Sequence, residues 1–168
     1  YERKLYLAIL EAGQEFNLKH FGMRALLSMR LDKNFPTWYR ELRPIYGPFE
    51  AGLDRFIDLN KEFIGKDKAL LEKQSGGKLR RITLSIDATD ADVLGDEPIW
   101  HQGKVVGWVT SGGFAHSVNA SLAQGYVPVE FANDTKERAF EVEILGERRS
   151  ATLIIEPLFD PSGVRMRA

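Results

Sequence analysis

The sequence contains no cysteine, which excludes a disulfide framework, a thiolate nucleophile and a Cys-ligated zinc site. It has no apolar run near the ~20 residues that span a bilayer, and no short apolar core of a signal peptide at its amino terminus. No membrane partner is expected. Charge of one sign is missing too: 23 Lys and Arg against 24 Asp and Glu give a formal net charge of −1, so no nucleic acid partner is expected. The pairs Arg80-Arg81 and Arg148-Arg149 read as solvated strand faces. The three histidines, His20, His101 and His116, lack metal-ligand spacing, and Asp87, Asp90, Asp92, Asp96 and Glu97 do not follow the EF-hand order. That acidic run reads as a polar loop between strands, and no metal ligand is assigned. Ser111-Gly112-Gly113-Phe114 has neither the spacing nor the Lys of a phosphate loop, and Gly-x-Ser-x-Gly is absent. No catalytic residue is assigned.

What is present is an ordinary globular composition, 43% hydrophobic, 11% aromatic and 28% charged over 168 residues, enough for one domain or two small ones. The chain begins at Tyr1, not Met, and runs straight into a helical pattern, as expected of a piece of a longer polypeptide. Leu5, Ala8, Ile9 and Ala12 mark one buried stripe of a helix over about residues 2 to 15. Ala25, Leu26 and Met29 mark a second helix after Gly22, which Pro36 stops near Asn34. Phe63, Asp67, Leu70, Leu71 and Gln74 fit a third helix, closed by Ser75-Gly76-Gly77. The period then changes from 3.6 to 2, with Ile82, Leu84 and Ile86 alternating against Arg81, Thr83 and Ser85. Residues 97 to 111 read as two strands around His101-Gln102-Gly103, and Tyr126 to Val129 as another short strand. Phe140 to Leu145 and Ser150 to Ile155 form a final pair turning at Gly146-Glu147. The fold class is α+β: a helical and irregular part, residues 1–77, followed by a small antiparallel β-barrel or sandwich, residues 78–168.

Between Pro36 and Leu53 three prolines and two glycines mix with aromatics, which makes an irregular loop that packs against the core or lines a pocket. Phe35, Trp38, Tyr39, Tyr46 and Phe49 alternate there with Arg40, Glu41, Arg43 and Glu50. Two readings stay open. Aromatic faces, carboxylates and arginines are what a flat heterocycle with an acidic tail requires; the same residues also serve as buried packing with surface ion pairs.

The stretches FGMRALLSMRLDKNF (21–35), PFEAGLDRFIDLNKEFIGKDKAL (48–70), GKVVGWVTSGG (103–113), SLAQGYVPVE (121–130) and ATLIIEPLFDP (151–161) occur in one order. Together with Trp38 and Glu41 they resemble the aminomethyltransferase family. That family includes the glycine cleavage T-protein and the carboxyl-terminal half of dimethylglycine and sarcosine dehydrogenases. Trp38, Asn60-Lys61 and Phe63-Ile64-Gly65 are closer to the dehydrogenase wording. Where the T-protein has an Arg-Asp pair, this chain has Leu26-Leu27, and Arg24 stands two positions earlier.

The resemblance implies a three-part ring of domains whose last part is an antiparallel barrel, with residues 1–77 completing the middle, folate-binding domain. It implies tetrahydrofolate as cofactor at a partial site, and FAD in the remainder of the parent. The implied reaction passes a methylene from a small N-methyl amine to tetrahydrofolate, using acidic residues that precede Tyr1. Phe35, Trp38, Glu41 and Arg24 are carried over as cofactor-binding, with Arg165 or Arg167 near the folate tail; Glu50 is expected to tie its loop to neighbouring backbone. The remainder of the parent is the expected protein partner. The chain alone is expected to be inactive, and its compartment bacterial cytoplasm or mitochondrial matrix. A stand-alone aminomethyltransferase and a non-catalytic structural module are the alternatives.

Overall fold

The computed structural model describes residues 1–132, 139–165 and 167. Three helices come first: α1 Glu2–Ala12, α2 Met23–Asp32 and α3 Lys66–Ser75. Six strands follow: β1 Leu79–Ile86, β2 Pro98–His101, β3 Lys104–Ala115, β4 Ala120–Pro128, β5 Ala139–Ile144 and β6 Glu147–Ile154, with a single helical turn, α4 Val129–Ala132, after β4. The strands close into an antiparallel barrel in the order β1-β4-β3-β2-β5-β6, with β1 paired to both β4 and β6. The fold is α+β, and of the two strand architectures foreseen it is the barrel.

The period-2 pattern works as expected in β1, where Ile82, Leu84 and Ile86 turn inward to meet Val109, Ala123, Val127, Phe140, Val142 and Ala151. Both two-residue hairpins use positive φ. Gln102 and Gly103 (φ 48° and 76°) turn β2 into β3, and Leu145 and Gly146 (52° and 84°) turn β5 into β6, one residue earlier than Gly146-Glu147. Gly76 closes α3 in the left-handed region at φ 80°.

Several elements depart from their expected bounds. α1 stops at Ala12, and Gln14–Phe16 winds as a tighter 3-10 turn. The expected buried stripe of α1 is exposed: Leu5 is 64% and Ile9 52% accessible, because no described element of this chain packs over it. Leu26 and Met29 of α2 are likewise exposed, and the buried end of that helix is Arg30-Leu31-Asp32. α3 begins at Lys66, not Phe63. The short strand expected at Tyr126–Val129 is the end of the nine-residue β4, and Val129 already starts α4. β3 runs on to Ala115, so Gly112 and Gly113 lie inside a strand.

The reason for that long glycine-bearing strand is close packing. A Cβ on Gly107 would sit 2.0 Å from the Tyr126 carbonyl oxygen, and one on Gly125 would sit 2.5 Å from that of Trp108. β4 carries seven consecutive buried residues, Ser121–Val127. One face looks into the barrel; the other is covered by α2 and the turns of residues 33–53.

A buried polar seam and the adjoining cleft

The covering segment owes its shape to Pro36, Pro44, Pro48 and Gly52, which break helix and strand alike, and to Asn34, held at φ 57°. It is fixed to the barrel by side chains. Glu41 is fully buried (0% accessible), and both carboxylate oxygens are used. Its Oε2 accepts from the Thr37 amide (2.7 Å), the Thr37 hydroxyl (2.9 Å) and Arg30 Nη1 (3.3 Å). Its Oε1 accepts from the hydroxyls of Thr110 and Ser111. Two successive strand residues normally point to opposite faces. Here the β3–β4 register slips between Val109 and Ser111, and this bulge lets both hydroxyls reach one oxygen.

Burial alone would raise the Glu41 pKa, yet the bonds from Ser111, Thr110 and Thr37 and the charge of Arg30 outweigh it and hold the carboxyl below its ordinary value. Gln124 of β4, also fully buried, extends the seam: its Oε1 accepts from Arg30 Nη1 (3.0 Å) and its Nε2 donates to Asn34 Oδ1 (2.8 Å). Tyr126 donates to the Glu41 carbonyl (2.8 Å) and stacks on Tyr46, with ring centroids 3.6 Å apart at 11°. Glu50 does what was expected of it, accepting from the amides of Gly47, Lys78 and Leu79.

Beside the seam opens a cleft of about 250 Å³, lined by Lys33, Asn34, Phe35, Pro36, Gly52, Leu53, Arg55, Phe56, Arg81 and Pro157. A second hollow of about 240 Å³ shares Asn34, Gly52 and Arg81 with it. Arg80-Arg81, read as a solvated strand face, is solvated only in part, with Arg80 keeping 38% of its side chain exposed. Arg80 donates to the Phe49 carbonyl (2.6 Å), and Arg81 lies partly buried between the two hollows. Arg81 Nε donates to the Ala51 carbonyl (2.9 Å), and its Nη1 to Asn34 Oδ1 (3.1 Å) and Asn34 O (3.4 Å). Burial lowers the pKa of this guanidinium. Arg148 also departs from a plain solvated position, lying 3.5 Å over the Trp100 ring, while Arg149 pairs with Asp90 and Glu147.

The five expected cofactor-binding residues therefore occupy different settings. Phe35 lines the cleft. Trp38 projects into solvent at 75% accessibility, on the turn between Phe35 and Glu41. Glu41 faces inward as described, and Arg24 is exposed on the first turn of α2. Arg165 is exposed, with its guanidinium 5.1 Å from the Phe159 ring centre and its amide near Asp160 Oδ1 (3.4 Å), while Arg167 is also exposed. Arg81, Arg55 and Phe56 escaped the sequence reading. The alternation of Arg81 with Ile82 signals only which side of the strand it is on, and what covers that side is tertiary.

Comparison with known proteins completes the assignment. Residues 79–160 match the model described as the glycine cleavage T-protein C-terminal barrel domain, and residues 1–61 match that of the GCVT N-terminal domain. The mitochondrial dimethylglycine dehydrogenase of Rattus norvegicus is 42% identical over 167 residues, covering 97% of this chain and 19% of the relative. The mitochondrial sarcosine dehydrogenase of Mus musculus is 30% identical over 97% of this chain and 18% of its own length. The chain thus spans about a fifth of these curated relatives. The crystal structure of the glycine cleavage system aminomethyltransferase T from Bartonella henselae shares the fold, with a TM-score of 0.77 and 24% identity over 85% of this chain and 40% of that one. With both models matched in chain order and the closed barrel in place, this chain belongs to the glycine cleavage T-protein family and carries that family's C-terminal barrel.

Proposed function

We propose that this chain is the tetrahydrofolate-binding module of a flavin-dependent dehydrogenase acting on dimethylglycine, sarcosine or a similar N-methyl amine. The observation that carries the reading is Arg81, a partly buried cation with no carboxylate within ion-pair distance among the described residues, standing in a cleft with Phe35 and Phe56. A buried charge calls for a counter-charge, and a ligand carboxylate supplies one. The donor set fits a folate: aromatic faces for its rings, Arg81 and Arg55 for its glutamate tail. Neither hollow reaches the ~300–1,000 Å³ that encloses a whole ligand. Each takes one end of it.

Tetrahydrofolate, when bound, supplies the N5 amine that receives the one-carbon unit. This chain's residues bind and orient it. Phe35 gives the cleft its aromatic wall and Arg81 its cation, and Trp38 covers the outer side of the same turn. Arg24 and Arg165, exposed and outside the lining of both hollows, would meet only a part of the ligand that extends beyond them, and Glu41 acts from behind by holding the turn. In this reading residues 1–77 belong to the middle domain and 78–168 to the barrel domain; the flavin and the reacting acids lie on other parts of the protein. The compartment is one that supplies reduced folate, mitochondrial matrix or bacterial cytoplasm.

The test is Arg81→Ala in the full-length protein. A charge-assisted hydrogen bond contributes about 1.5–3 kcal/mol, so the tetrahydrofolate dissociation constant should rise about 10- to 150-fold. The rate of amine oxidation by an artificial electron acceptor should hold. Unchanged folate affinity in a folded Arg81→Ala protein would overturn the proposal.

A further inference from the structure

The side-chain oxygen of Asn34 receives three donors at once: Arg81 Nη1 at 3.1 Å, Gln124 Nε2 at 2.8 Å and the Thr83 hydroxyl. One of the three is a cation, and all three would be satisfied equally by the isosteric carboxylate of an aspartate. Asparagine is nonetheless the residue present. The other groups that hold Arg81, the Ala51 and Asn34 carbonyls, are neutral as well. Arg30 offers the contrast inside the same seam, since its charge is met by Glu41 at 3.3 Å. Other arginines are also met by acids: Arg40 by Asp96, Arg80 by Asp54, Arg148 by Glu141 and Arg149 by Asp90 and Glu147. Arg81 is oriented by neutral acceptors; Glu41, the carboxylate whose charge reaches it, lies beyond ion-pair distance and is itself paired with Arg30.

We propose that Asn34 is a positioning residue that aims Arg81 into the cleft with a neutral acceptor, so that the guanidinium keeps its charge for the anionic end of the ligand. This rests on the folate reading and adds to it the residue that sets the preference for a carboxylate-bearing tail. Three features of the backbone support it. Asn34 sits in the left-handed region at φ 57°, which asparagine tolerates better than most residues, and the inter-hollow wall it forms is thereby fixed. The next carbonyl, that of Phe35, accepts from Arg30 Nη1 at 3.1 Å, so the aromatic wall and the cation are registered by one network. Gly52 carries no side chain beside Arg81 Nη2, where even an ideal Cβ would be 3.6 Å away, leaving that nitrogen open.

The experiment compares two ligands on the full-length protein: tetrahydrofolate, and 6-methyltetrahydropterin, which lacks the aminobenzoyl-glutamate tail. Asn34→Asp keeps the shape and every hydrogen bond while placing a negative charge on Arg81. It should fold with an undiminished melting temperature, bind tetrahydrofolate about tenfold or more weakly, and bind the tail-less pterin as the parent protein does. Asn34→Gly keeps the left-handed backbone but removes the acceptor, and should weaken the tailed ligand several-fold while sparing the tail-less one. Equal tetrahydrofolate affinity in Asn34→Asp, or equal loss of both ligands in the two variants, would overturn the role given to Asn34. If the unmodified protein bound neither ligand, the folate reading itself would fall, and this inference with it.

Discussion

Arg30 and Glu41, on α2 and on the turn that follows it, meet at 3.3 Å with 8% and 0% of their side chains exposed. A buried pair of this kind is a weak source of net stability, but removing one partner strands the other charge. Glu41→Ala leaves Arg30 facing only neutral groups, the Ser111 hydroxyl, the Gln124 amide oxygen and the Phe35 carbonyl. It should cost about 3–5 kcal/mol in denaturant unfolding; Glu41→Gln, which also strands the Arg30 charge but keeps an acceptor for the Thr37 amide, should cost less.

Acid should release the same seam. The pKa values of Glu41 and Glu50 are both held below the ordinary carboxylate value of 4.5. At Glu41 burial is outweighed by the bonds from Ser111, Thr110 and Thr37; at Glu50 it is outweighed by the amides of Leu79, Lys78 and Gly47. A depressed folded pKa means stability that is complete above the unfolded value and lost as pH falls through the folded one. Unfolding free energy measured by urea titration should therefore be flat down to about pH 5 and decline below it. Glu50→Gln should make that decline shallower, and an unchanged slope would show that the carboxylate is not linked to folding.

Trp38 separates surface from core. At 75% accessibility its truncation to Ala should change stability by no more than about 0.5 kcal/mol. In the full-length protein the same change should weaken tetrahydrofolate binding more than amine oxidation. A large fall in melting temperature would show instead that its ring is needed for packing.

Gly107 tests the closeness of β3 and β4. Its Ala variant would force a methyl 2.0 Å from the Tyr126 carbonyl oxygen, so the strands must part and the Tyr126–Glu41 bond with them. We expect a loss of about 1–3 kcal/mol or more. Gly22→Ala, with nothing within 4 Å of the new carbon, should cost less, about 1 kcal/mol or under, from placing Ala at the N-cap of α2.

The sequence made the barrel strands legible because their signal is local: Ile82, Leu84 and Ile86 alternate, and Gln102-Gly103 permits the turn. It did not reveal the bulge at Thr110 or the extension of β3 through Gly112 and Gly113, since a register slip is a property of two strands at once. The same distinction governs the site. Phe35 was legible from an aromatic-rich segment of broken helix. Arg81 was not, because a strand arginine over open solvent and one under Asn34 and Ala51 have the same neighbours in sequence. The apolar stripe of α1 shows the converse: its period is real, but Leu5 and Ile9 stay exposed, with nothing among the described residues to cover them.

The pairing of β1 with β6 also dictates when the barrel can form. Thr83 finds its partner Ile154 only about 70 residues later, which a ribosome working at ~5–20 residues per second takes several seconds to deliver. Until then the hydrogen-bonding edge of the first strand is bare. Nascent chains interrupted between β1 and β6 should accordingly be the species that chaperones hold and proteases find.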